Sequence, residues 1–149
     1  MSTIEESVEV NVPVTTAYNQ WTQFEDFPHF MEGVERVEQI DDTHLHWEAD
    51  IAGKHKAWDA VITEQTPDKR IAWSNYDGAD NAGVITFHRV SDATTRVMLQ
   101  MDIKPDGIVE SVGDALGFTK RRVKGDLGRF KEFIEARPVE TGAWRGDVD

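Results

Sequence analysis

Cysteine is absent from the 149 residues, which excludes disulfides, thiolate metal sites and cysteine nucleophiles and leaves packing and hydrogen bonds to hold the chain together. Basic residues are scarce: 16 lysines and arginines stand against 28 acids, a formal charge of −12. A surface of that sign repels phosphate backbones and anionic headgroups, so nucleic acid and membrane surfaces are disfavoured as partners. No apolar run approaches the ~20 residues of a membrane span, and the opening MSTIEESVEV has neither the basic flank nor the apolar stretch of a signal peptide. The expected setting is the cytoplasm, without integral membrane association. Tyrosine occurs only at Tyr18 and Tyr76, which leaves few phenols for acid–base chemistry. The length suits one domain with a core of its own.

What is present is rhythm. From Ile4 to Val12 apolar residues fall at every second position, interrupted only by Glu6, and Pro13 ends that strand. Val14, Ala17, Tyr18 and Trp21 then recur at helical spacing, and FEDFPHFMEGV has room for a second short helix before the chain turns. Beyond Gly33 the period is two for some seventy residues, broken at Asp41-Asp42, Gly53, Pro67-Asp68, the polar stretch SNYDGADNAG and Ser91-Asp92. Six strands result, the last with Val97, Leu99, Met101 and Ile103 on one face. Past Pro105 the spacing returns to threes and fours through Val109, Val112, Leu116, Val123, Leu127, Phe130 and Ile134, a single helix of roughly 45 Å at 1.5 Å per residue. The tail from Pro138 has no periodicity and is expected to be flexible apart from a docking of Trp144.

One helix with one apolar stripe cannot fill the concavity of a seven-stranded twisted sheet, so a cavity is expected between them. The inward face is rich in large residues: Trp47, Trp58, Trp73, Phe87, Leu99 and Met101. Such a set either fills a dry core or lines a small-molecule site. Phe27, Phe30 and Met31 are placed at the mouth, and Val112 and Leu116 on the helix above it. Gly113, Gly117, Gly125 and Gly128 interrupt that helix at about 1 kcal/mol each relative to alanine. Either glycine lets the helix lie close to its neighbours, or Gly113 and Gly117, one turn apart and flanking Leu116, weaken the part over the pocket so that a ligand can enter.

The order of elements, together with Val10–Pro13 leading into the first helix, Trp21 followed by Phe24-Glu25-Asp26-Phe27-Pro28 and Phe30-Met31-Glu32-Gly33-Val34, Arg70-Ile71-Ala72-Trp73 after Pro67, Gly83–Phe87 and Thr95-Arg96-Val97, resembles the SRPBCC superfamily of START, birch-pollen-allergen and polyketide-cyclase relatives. It is most similar to the bacterial polyketide cyclase/dehydrase-like branch, related to the coenzyme Q-binding START proteins. The resemblance implies an α+β helix-grip fold over residues 1–137: a curved seven-stranded antiparallel sheet wrapped around a long C-terminal helix, with two short helices after the first strand. It also implies a small hydrophobic ligand, polyketide-, quinone- or lipid-like, in an internal cavity, or cyclase, aromatase or dehydratase action on a poly-β-ketone.

No catalytic residue carries over, because few polar groups sit on inferred inward positions. Arg89 shares the parity of Ile85 and Phe87, yet a strand-end arginine is ordinarily solvated. His44 and His46 share a strand face with His55 nearby, but that face alternates against Leu45 and Trp47 and should look into water, so no metal site is read there. His29 and His88 are isolated. No serine–histidine–acid spacing or phosphate-cradling loop occurs, and Gly113-Ala-Leu-Gly lies inside a helix and not at its start. No cofactor is implied.

Overall fold

Nine backbone elements follow in the expected order in the computed structural model, which describes residues 2–51, 53–76, 81–103, 112–137 and 139–148, with the helix path alone for 112–119. They are β1 (Ser2–Val10), α1 (Val14–Trp21), a 3-10 turn η1 (Phe24–His29), β2 (Val34–Gln39), β3 (His44–Ile51), β4 (Lys54–Thr66), β5 (Arg70–Tyr76), β6 (Asn81–Ser91), β7 (Thr94–Ile103) and the long helix α2 (Val112–Ala136), counting η1 with the connections. All seven strands form one antiparallel sheet in the order β1-β7-β6-β5-β4-β3-β2. The sheet curls into a half-barrel with α2 in its grip, as the helix-grip fold requires.

Local chemistry sets the turns. Gly33 and Gly53 adopt φ of 81° and 82°, and Asp68, in the turn between β4 and β5, adopts 63°, a region that glycine enters freely and aspartate tolerates. At Gly33 no other residue fits: a Cβ there would stand 2.6 Å from the Asp50 carbonyl oxygen and 2.5 Å from the Arg122 guanidinium.

Two bulges shift the alternation that the sequence suggests. In β2 the register slips between Val34 and Arg36, so Val34 and Val37 both face the core; in β4 it slips between Ile62 and Glu64, which turns Gln65 inward to 1% exposure. Each bulge adds curvature to its strand. The polar stretch SNYDGADNAG is mostly strand: β5 runs to Tyr76 and β6 starts at Asn81, because backbone pairing with β4 and β7 overrides side-chain polarity.

The core lies between the sheet and α2. Val123, Leu127, Phe130 and Ile134 form the buried stripe of the helix. Phe130 meets Trp21 at 5.0 Å and Phe30 at 5.3 Å between ring centroids. The helix lies against β1, pinned by Lys131 donating to the Glu9 carbonyl at 3.0 Å and by the Asn11 N–H donating to Glu135 at 2.7 Å.

Residues 139–148 do not hang free. Thr141 exchanges two hydrogen bonds with the Gln20 side chain at 2.9 and 3.0 Å, the Trp144 N–H donates to Thr22 Oγ1 at 3.0 Å, and Arg145 pairs with Asp68. Val148 then bridges Gln65 through both backbone bonds. The buried polar side chains Gln20 and Thr22 of the α1 region supply these anchors, and no periodicity in the tail itself announces them.

Candidate functional site

A cavity of about 280 Å³ remains between α2 and the concave face of β2–β5 and β7. Trp47, Trp58 and Trp73 come from three adjacent strands and form its aromatic wall. Trp47 faces Trp58 directly across the β3–β4 ladder, and the two rings stack with centroids 5.7 Å apart and 11° between planes. Trp73 sits opposite Gly83 in the β5–β6 ladder. Its ring lies so close that a Cβ on Gly83 would be 2.5 Å from Trp73 Cζ2. Glycine at that position makes the room for the indole.

Phe27, Met31, Leu99 and Met101 also line the cavity. Phe30 and Phe87 do not. Phe30 is 2% exposed and packs on Phe130 and Phe133, because the 3-10 turn directs Phe27 toward the cavity and the next ring toward α2. Phe87 lies farther along β6 under α1, edge-on to Tyr18 at 5.4 Å. Val112 and Leu116 belong to α2, but their side chains lie outside the described residues, as do the surroundings of Gly113 and Gly117. At the two described helix glycines, an added Cβ meets nothing within 4 Å at Gly128 outside the helix's own backbone, and its three nearest neighbours at Gly125 are atoms of the Arg129 guanidinium.

The mouth has a polar frame that periodicity did not reveal. Arg122, Asp126 and Arg129 stand at i, i+4 and i+7 on one face of α2, and all three reach the Phe30–Gly33 turn. The Glu32 N–H donates to Asp126 Oδ1 at 3.1 Å, Arg129 Nε donates to the Phe30 carbonyl at 2.9 Å, and Arg122 donates to the Glu32 carbonyl. Arg129 also bonds Asp126 Oδ1 and lies 3.6 Å from the Glu32 carboxylate. Burial pushes the Asp126 carboxyl above the ordinary aspartate value, against the pull of Arg129, the Glu32 N–H and the Arg122 charge. Asp126 precedes Leu127 and follows Val123 by three, so its place on the border of the apolar stripe was the available signal. Asn75, assigned to a polar loop in the sequence reading, is a strand residue on the cavity wall.

The groups set aside from the sequence stay out of the cavity. Tyr18 is fully buried with Arg145 over its ring, and burial raises its phenol. Arg89 is exposed and paired with Asp92. His46 bonds Asp59 at 2.7 Å on the outer face, and His55 meets Glu35 at 3.1 Å. Among the described residues no cluster suits a metal ion. A shallower hollow of about 460 Å³ lies outside the barrel beside Trp144, but three of its acids already serve the fold, Glu25 accepting from the Gln39 N–H, Asp26 from Thr141 and Asp41 from the Thr43 N–H.

A curled antiparallel sheet gripping one helix, with an aromatic cavity between them, agrees with the sequence comparison. Residues 10–132 match the family described as polyketide cyclase / dehydrase and lipid transport. The chain belongs to that family. It is 63% identical over 149 residues to an uncharacterized 17.2 kDa protein of Streptomyces lincolnensis, covering 99% of each chain. Among solved structures it is similar to the Zhui aromatase/cyclase of a Streptomyces species, with TM-score 0.80 and 14% identity over 96% of this chain and 99% of that one. It is also similar to a START superfamily protein of Mycobacterium smegmatis, with TM-score 0.68 and 13% identity over 85% and 97%. At those identities the two structures show a shared fold. No helix among the described residues is long and apolar enough to cross a membrane.

Proposed function

We propose that this member of the family binds a small hydrophobic molecule, polyketide-, quinone- or lipid-like, within the cavity and holds it away from water. The observation that carries this reading is the tryptophan wall: three indoles on adjacent strands facing a space that no described side chain fills. Burying an apolar ligand there gains about 25 cal/mol per Å² of surface removed from water. Phe27, Met31, Leu99 and Met101 complete the contact surface, and the net charge of −12 argues against nucleic acid as a competing partner.

Native mass spectrometry of the protein as purified tests the reading directly, since a retained small molecule would identify its class. In parallel, a naphthoquinone should quench tryptophan emission saturably, and Trp58→Ala with Trp73→Ala should weaken that binding. No retained mass together with non-saturable quenching would overturn it. Cyclase, aromatase or dehydratase action on a poly-β-ketone is the second reading, favoured by the carboxyl of Asp126 on a predominantly apolar wall. Turnover of such a substrate that is lost in Asp126→Asn would establish it.

A further inference from the structure

We infer that Asp126 is the polar anchor of the cavity: its second carboxylate oxygen accepts a hydrogen bond from a ligand hydroxyl, so the ligand is an apolar ring-bearing molecule with a neutral O–H at the end next to α2. This rests on the binding reading above and narrows it.

Among the described residues four polar ones reach the cavity: Glu32, Asn75, Arg122 and Asp126. Glu32 keeps 68% of its side chain exposed and faces Arg129, so it belongs to the outer rim. Arg122 is engaged with the Glu32 carbonyl. Asp126 keeps only 16% of its side chain exposed. Both of its protein hydrogen bonds, from the Glu32 N–H and from Arg129, end on Oδ1. Oδ2 receives none from any described residue. It is also not among the buried atoms without a partner, so this oxygen stays accessible and keeps its acceptor capacity for a ligand donor.

The neighbouring charges select the donor. Arg122 and Arg129 already stand beside the carboxylate, so an ammonium would add a surplus positive charge, whereas a hydroxyl completes the set of hydrogen bonds without one. A ligand carboxylate would meet the like charge of Asp126 and be repelled.

The test uses two compounds of nearly equal shape, 2-naphthol and 2-methoxynaphthalene, titrated into the full chain by isothermal calorimetry. The naphthol should bind tighter by about tenfold or more, the value of a hydrogen bond to a charged acceptor. In Asp126→Asn the amide oxygen remains with the Glu32 and Arg129 donors and its NH₂ faces the cavity, so the preference should shrink to within about threefold while 2-methoxynaphthalene binds no worse. The wild-type comparison needs no variant to fold. Equal affinities of both compounds for the wild type would overturn the role of Asp126 and leave hydrophobic binding standing. A preference that survives Asp126→Asn, or that vanishes in Asn75→Leu instead, would also overturn it. Failure of both compounds to bind would overturn both readings.

Discussion

Replacing Gly128 by alanine should stabilise the protein. The position lies inside α2, three residues after Gly125 and two before the fully buried Phe130. A methyl group built there meets no atom within 4 Å outside the helix's own backbone, so overpacking costs nothing and the whole difference in helix propensity is realised, about 0.8–1 kcal/mol. For a chain of this size that corresponds to a rise of about 2–4 °C in Tm. Gly125→Ala gains less. Its methyl would stand 3.0 Å from Arg129 Nη2, and that guanidinium is held by Asp126 and by the Phe30 carbonyl through its Nε, so part of the propensity gain is spent displacing it. Thermal unfolding followed by far-ultraviolet circular dichroism orders the three chains: Gly128→Ala above Gly125→Ala, and both at or above wild type. A Gly128→Ala protein that melts below wild type would refute the reasoning, because it would require a close contact at that position after all. If Gly128 serves mobility, the stabilised variant should also admit a naphthoquinone more slowly in stopped-flow quenching.

Gly83→Ala acts in the opposite direction: the added methyl displaces the Trp73 ring, with an expected loss of about 1–3 kcal/mol in chemical denaturation and weaker naphthoquinone binding; unchanged stability would mean that the indole does not lie over Gly83. His46 should titrate above its ordinary value, chiefly through its hydrogen bond to Asp59, with burial opposing and Glu48 assisting. A raised folded pKa contributes stability that is fully present below the unfolded value of about 6.5 and is lost as pH rises through the folded pKa. Nuclear magnetic resonance titration of the His46 ring should therefore show the midpoint falling in Asp59→Asn, and the stability gap between that variant and wild type closing above the folded pKa. An unmoved midpoint would refute the pairing.

Period-two and helical spacing specified the element order, because a strand with one buried face and a helix with one buried stripe must repeat their apolar residues at those intervals. The inward indoles Trp47, Trp58 and Trp73 were legible for the same reason: their parity matches that of Leu45, Ile62 and Ile71. Parity fails wherever the ladder slips, and nothing local in Glu35 or Thr63 marks a bulge, so the inward turn of Gln65 emerges only from the pairing of β4 with β5. Nor does parity measure position along the barrel axis. Phe87 has the right face but lies under α1, and Phe30 follows Phe27 at helical spacing but packs against α2.

The polar frame of the mouth was decided by tertiary structure alone. Arg122, Asp126 and Arg129 read as an ordinary solvated helix face until the Phe30–Gly33 turn is laid across them, and that contact joins residues ninety or more positions apart. The docked tail is of the same kind, since its anchors Gln20, Thr22 and Gln65 lie far from it in the chain. Repetition along the chain records which side of an element is buried. What that side is buried against depends on how the sheet curls, and so the sequence determined the grip and its aromatic lining, while the carboxyl at its mouth was set by the packing of α2 on a turn it never meets in the linear order.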